Sequence, residues 1–240
     1  MFVEPGKERG LGGVLFYAGE LDADGRALVV AANVAGCATL AATAGIERQQ
    51  HLIRDGVIDF LVNSLDEALR ILKNEIRRRT TVGVCVALAP EAVEQEMLER
   101  GVQPDFMAER PDGTREVSDF GAGSRVLQFN EPDPNLAWIT WRVAEAPARW
   151  MPKLDAIALD CLPAGSWERR WIRLSSRYLG RGAIRQSTVY CEPESAREII
   201  RRIADSVRRQ EIGAEVVVSL ASEDETFVSR MVPGSNGTGS

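Results

Sequence analysis

From Gly13 to Glu109 the chain alternates short apolar runs with amphipathic stretches, and this alternation restricts the fold more than any other feature. Apolar runs bounded by turn residues read as strands; stretches with apolar residues at helical spacing read as helices. Strands are expected near 13–18, 37–43, 58–62, 82–88 and 104–108. A helix from Arg26 to Ala35 is closed by Gly36, and a polar one from Ile46 to Arg54 by Asp55-Gly56. Ser64 and Glu67 form a capping-box signature ahead of Leu65, Ala68, Leu69, Leu72 and Ile76. Pro90 starts a further helix that Gly101 ends. Strand–helix repetition of this kind predicts a doubly wound α/β fold with a mostly parallel sheet and right-handed crossovers. Val82 to Leu88 is almost continuously apolar, as a strand covered on both faces must be.

In such a fold ligands bind beyond the carboxyl ends of the strands, and a phosphate rests on bare backbone N–H groups at a helix N-terminus. The first strand ends near Gly19, and the following turn, Glu20 to Arg26, carries the carboxylates of Glu20, Asp22 and Asp24 before Gly25. Three negative side chains at that place repel a phosphate. The other strand ends are Thr43, Asn63-Ser64, Ala89 and Glu109-Arg110. The candidate pocket rim is therefore Gly19, Glu20, Asp22, Asp24, Gly25, Asn63, Ser64, Glu109 and Arg110. A rival local reading makes Leu15 to Val30 a β-hairpin turning at Asp22-Ala23-Asp24-Gly25, because Asp and Gly favour tight turns.

Residues 12–109 are thus expected to be one α/β domain, followed by a polar linker or long loop over 110–124. Residues 125–220 read as a smaller α+β segment packed on that domain, and 221–240 as a flexible tail. In the second half Val126 to Phe129, Trp138 to Val143, Thr188 to Cys191 and Glu215 to Leu220 read as strands. Ser166 to Leu179 and Pro193 to Arg209 read as helices, the latter with Ile199, Ile200, Ile203 and Val207 inward.

The ordered pieces of the first half resemble the NAD-binding domain of urocanase (urocanate hydratase). The resemblance rests on the strand ending at Gly19, then Ala27 to Gly36, Ser64 to Leu69, Val82 to Leu88, and Glu99-Arg100-Gly101-Val102 with Pro104-Asp105. It implies a Rossmann-like domain and, by family, NAD as cofactor and hydratase or lyase chemistry. The departures fall on functional positions. The family's glycine-rich loop is here Glu20 to Asp24, leaving Gly19 and Gly25 as matches, and the ribose-binding acid is replaced by Thr43. After Pro104-Asp105 the family's polar stretch gives way to Ala108-Glu109-Arg110-Pro111-Asp112, so no catalytic residue carries over.

Other chemistry is thinly represented. A calcium loop opening at Glu20 would need a glutamate at Ala31. His51, the only histidine, has polar helix neighbours and is expected to be exposed. Cys37, Cys85, Cys161 and Cys191 form no Cys-x-x-Cys pair and read as buried thiols in a reducing cytoplasm. The uncharged run Ala27 to Ile46 approaches the length of ~20 residues that spans a bilayer, but it is rich in Ala, Gly and Thr and reads as a buried helix and strand. A net charge of -6 opposes a general nucleic-acid or membrane binder. The Arg- and Trp-rich stretch 167–185 reads as a helix with tryptophans and Leu174 inward, while Arg173, Arg177, Arg181 and Arg185 are candidates for an anion pocket. The expectation is a cytoplasmic, non-catalytic protein that binds a small ligand or a protein partner without a cofactor. Self-association into a homo-oligomer is left open, and a small dinucleotide-dependent hydratase or lyase is the alternative.

Overall fold

The computed structural model describes residues 10–108, 120, 123–127, 133–180, 184–222 and 226–234. The chain forms two compact units, one comprising Gly10–Asn130 with Arg177–Gly180, the other built from Glu131–Ser176 and Arg181–Ser240.

The first unit runs β1 (Leu15–Glu20), α1 (Ala23–Ala35), β2 (Ala38–Ala42), α2 (Ile46–Arg54), β3 (Phe60–Val62), α3 (Leu65–Arg78), β4 (Val82–Val86), α4 (Pro90–Glu99), β5 (Phe106–Ala108) and β6 (Arg125–Leu127). These strands form one six-stranded sheet in the order β3-β4-β2-β1-β5-β6, and every pairing is parallel. The alternation of the sequence thus yields the expected Rossmann-like α/β architecture. The hairpin alternative is overturned, since β1 pairs in parallel with β2 and β5 and residues 23–35 are helical. The physical reason is the burial of Val29, Val30 and Val34 at helical spacing. Asp22 is the N-cap of that helix rather than a hairpin turn residue, so α1 begins three residues before its expected start at Arg26.

The central strands β2 and β4 are buried at every position. On one face Tyr17, Leu40 and Val84 pack with Leu65 and Leu72 of α3 and Val93 and Met97 of α4. The other face meets α1 through a polar bridge. Asn33 Nδ2 donates to the Val57 carbonyl at 3.0 Å, and Thr39 Oγ1 donates to Asn33 Oδ1 at 3.0 Å. Asn33 is 1% exposed, so both of its polar ends need these partners. Gly83, opposite Thr39, makes room: a Cβ there would lie 3.3 Å from Asn33 Nδ2. Ser64 caps α3 by accepting from Glu67 N–H. The Glu67 carboxylate reaches the Asn63 N–H, one residue before the position that a reciprocal capping box would use.

In the second unit β7 (Ala137–Val143), β8 (Gln186–Cys191), β9 (Val216–Ala221) and β10 (Thr226–Met231) form an antiparallel sheet in the order β10-β9-β7-β8. The helices are α5 (Pro147–Cys161), α6 (Trp167–Tyr178) and α7 (Pro193–Arg208). One sheet face is buried: Ile139, Trp141, Val189 and Val218 pack with Leu154 of α5 and Ile199 and Ile203 of α7. Trp141 Nε1 donates to Asp155 at 2.9 Å, and burial raises the carboxyl of Asp155 above its ordinary range.

Four expectations are corrected. Strand β6 joins the sheet of the first unit, pairing with β5, rather than opening the second segment. Within 110–124, Phe120 lies in the first unit's core and Ser124 is buried with its hydroxyl donating to the Pro104 carbonyl, so the described part of this stretch is packed rather than a linker. Thr226–Met231 is a paired strand inside the supposed tail, held by Phe227 and Met231 packing on the core. On α6 the buried stripe is Ile172, Ser175 and Tyr178, and Trp167 is exposed; the helical period, not aromatic size, selects the inward face. Helix α5 is absent from the sequence reading; Pro147 occupies its first turn, where proline is tolerated, and Pro152 lies inside it. No helix among the described residues is long and apolar enough to cross a membrane.

Two measurements test this packing. A methyl group on Gly25 would lie 1.9 Å from the Glu20 carbonyl oxygen. Gly25→Ala is therefore expected to cost about 1–3 kcal/mol in urea unfolding, as overpacking does. Glu198 on α7 is held down to about 2 by hydrogen bonds from Arg201 and Arg202. Its stabilising contribution is present above the ordinary carboxyl value and is lost as pH falls toward about 2. Acid titration of Glu198→Gln should show a shallower loss of stability over that interval than the native chain.

Candidate functional site

Because all strands of the first sheet run the same way, their carboxyl ends share one edge. Glu20 is in register with Ala42, Ala42 with Val86, and Val86 with Val62. Glu20 and the Asn63 that follows Val62 are thus three strand spacings apart, about 14 Å. The rim residues described therefore line an extended edge rather than converge on a point. Glu109 and Arg110 lie outside the described residues.

The β1–α1 turn is built on two glycines, Gly19 and Gly25. The β1–β2 register shifts between Tyr17 and Gly19, and Gly19 takes φ 77, a left-handed conformation that glycine adopts without strain. Gly25 brings the first turn of α1 against the Glu20 carbonyl, where no side chain fits. These correspond to the tight-turn and close-packing roles of a dinucleotide loop. Between them Leu21 is 2% exposed, a core side chain where a pyrophosphate would need open backbone.

The carboxylates occupy what remains. Asp22 Oδ1 accepts from Gly25 N–H at 2.9 Å, so one of the opening N–H groups of α1 is taken within the chain. Glu20 Oε1 accepts from its neighbour Leu21 N–H at 3.1 Å and pairs with Arg48 of α2 at 2.7 Å. Asp24 is exposed in the first helical turn. Thr43, at the ribose position, is fully buried; its hydroxyl accepts from Gly45 N–H at 3.4 Å and its carbonyl accepts from Gln49 Nε2 at 2.9 Å. This donor set does not match a dinucleotide: carboxylates stand where phosphate needs N–H donors, and a hydroxyl stands where ribose needs an acid.

Arg48, Gln49 and Cys85 were missed in the sequence. The first two could have been found as first-turn residues of the helix that follows the second strand. Cys85, beside Ala41 in the sheet, carried no signal because its neighbourhood is made by distant segments. Its thiol is pushed up to about 12, first by burial and then by Glu20. A protonated buried thiol is no nucleophile.

In the second unit an open depression of about 720 Å³ is lined by Cys161, Glu192, Glu194, Ser195, Arg197, Glu198 and Arg201. Of its lining charges Glu198 pairs with Arg201, and each has a further partner, Arg202 for Glu198 and Asp205 for Arg201. Burial raises the Cys161 thiol, which opposes reactivity. Of the arginines proposed for an anion pocket, Arg181 lies outside the described residues, and Arg177 lies over the Tyr178 ring. His51 is exposed. Among the described residues no group of three or more His, Cys, Asp or Glu could hold a metal ion.

Thiol chemistry checks this electrostatic picture. At pH 8 a disulfide reagent should label Cys161 slowly, and Cys37, Cys85 and Cys191 only after denaturation, since these three are buried. Fast native labelling of Cys85 would contradict its surroundings.

One comparison with known proteins bears on this edge. Residues 7–113, less than half of the chain, match the family model of the urocanase Rossmann-like domain, and this segment contains the β1–α1 turn, Thr43 and every strand end described above.

Proposed function

We propose that the protein is a non-catalytic binder of a small ligand or a protein partner, built on a urocanase-like Rossmann-like domain whose dinucleotide loop has degenerated. The observation that carries this reading is the Asp22 cap: the Gly25 N–H, at the helix start where a dinucleotide fold presents donors to a phosphate, is taken by a carboxylate of the same chain. Glu20 and the buried Leu21 support it, because like charge and a filled space both oppose a diphosphate. The loop keeps the glycines that folding requires and lacks the one that ligand approach requires. The alternative is a dinucleotide-dependent hydratase or lyase, favoured by the family match over residues 7–113.

The experiment is calorimetric titration of NAD into the full chain, paired with thermal unfolding, since a ligand that binds only the folded state raises its melting temperature. The native chain is expected to show neither heat nor shift at millimolar NAD. Micromolar affinity would favour the enzyme reading and end this proposal. The triple variant Glu20→Ser, Asp22→Ser, Asp24→Ser removes three negative charges while keeping a side-chain oxygen at the N-cap. It is expected to gain measurable NAD affinity if charge is the chief block. If it folds and gains none, Leu21 and Thr43 also close the site.

A further inference from the structure

The two edges of the second unit's sheet are finished differently. At β8 the edge is covered: Trp171 of α6 reaches it, its Nε1 donating to the Thr188 carbonyl at 2.8 Å. At β10 the ladder stops. Thr226–Met231 pairs with Val216–Ala221 without a register shift, and among the described residues no strand pairs with its other side. In an antiparallel ladder alternate residues point their N–H and C=O groups to one neighbour, so every second residue of β10 turns a donor and an acceptor to water. Such a row is a template for another strand.

Proteins blunt a bare edge with lysine, proline, a bulge or a charge that points inward. Strand β10 has none of these. Its inward side chains, Phe227, Ser229 and Met231, are half-buried, and Phe227 and Met231 lie on the unit's core. Its outward side chains, Thr226, Val228 and Arg230, are exposed, Val228 by 71%. The one charge of the strand, Arg230, is matched by Glu215 at 3.2 Å.

Symmetry selects the occupant. Two copies can meet antiparallel about a two-fold axis through the middle of the strand. With the axis at Ser229, Phe227 of each copy stands opposite Met231 of the other, and each ring and thioether covers the half that a single chain leaves in water. Val228 stands opposite Arg230, whose methylene stem can cover it. Each Arg230 keeps its own Glu215, so the edges meet without net charge. With the axis at Val228, Phe227 would face Ser229 and Met231 would have no partner within the strand.

We propose that β10 is a self-association edge, at which two copies of this chain pair antiparallel through Thr226–Met231 about Ser229. The bare backbone groups would accept any strand; the reciprocal Phe227–Met231 contact is what a second copy adds. Two four-stranded sheets thereby become one sheet of eight strands with a continuous core. A six-residue edge falls short of the about 1,000 Å² that a stable interface buries, so the dimer exchanges with monomer.

The test is sedimentation velocity of the full chain from about 5 to about 200 µM, the range of a weak interface. The native chain is expected to pass from monomer to dimer; a chain that stays monomeric throughout overturns the proposal. Ser229→Lys sets like charges directly opposite each other at the axis and should weaken the dimer about tenfold or more. Trp138→Ala, on the outer face and away from this edge, should leave it unchanged. A folded Ser229→Lys that dimerises like the native chain, or a dimer lost in Trp138→Ala, places the contact elsewhere and overturns the proposal. Cross-linking gives a second readout. Ser229→Cys puts two thiols across the axis with Cβ atoms about 5 Å apart, within reach of a disulfide. Oxidised glutathione should convert it to a covalent dimer above the native background. Thr226→Cys, whose two copies lie about 20 Å apart in this register, should stay uncoupled. Equal cross-linking of both variants, or none in Ser229→Cys, also overturns the proposal. Circular dichroism checks the fold of each variant.

Discussion

The first unit depends on one close approach, that of the opening turn of α1 to the end of β1. Gly25 stands where any side chain would strike the Glu20 carbonyl. The contact sets how near α1 lies to the sheet, and with it the depth at which Val29, Val30 and Asn33 are buried. It also fixes the exit of β1, where Gly19 takes its left-handed turn. In a dinucleotide-binding fold the same geometry positions the helix dipole on a phosphate. Here the Gly25 N–H at that helix start donates to Asp22.

The Asn33 bridge shows how specificity is enforced on an otherwise apolar sheet. Two buried hydrogen bonds tie α1 to the Thr39 hydroxyl and to the backbone at Val57. A slip of α1 along the sheet would strand both polar ends of Asn33 without water, a penalty of about 1–3 kcal/mol for each unpaired group. Apolar packing alone tolerates such slips. The bridge and the Gly25 contact together pin the helix in rotation and in translation.

Electrostatics assigns the two units different surfaces. At the carboxyl edge of the first unit burial, and after it Glu20, raises the Cys85 thiol, and Glu20 engages Arg48. The second unit concentrates carboxylates with arginines along α7, whereas its outer sheet face sets Trp138 against Tyr190.

The strand–helix alternation, the caps at Ser64 and Pro90, and the closing Gly36 were legible because each is a local signal confined to a few consecutive residues. The same holds for the acidic turn, whose conflict with phosphate follows from residue type alone. Strand order was not legible: that β4 lies between β2 and β3 depends on which apolar faces bury one another. Nor was the addition of β6, or the pairing of β10, since both rest on contacts made by separate segments. Fold class and the chemical character of the β1–α1 turn follow from residue order alone, because period and charge are properties of neighbouring residues. That Asp22 caps the helix, that Arg48 and Cys85 stand by Glu20, and that Trp138, Tyr190, Arg142 and Arg230 share one sheet face emerges with the folded chain. Hydrogen bonds, desolvation and strand register act between residues that are distant in the chain.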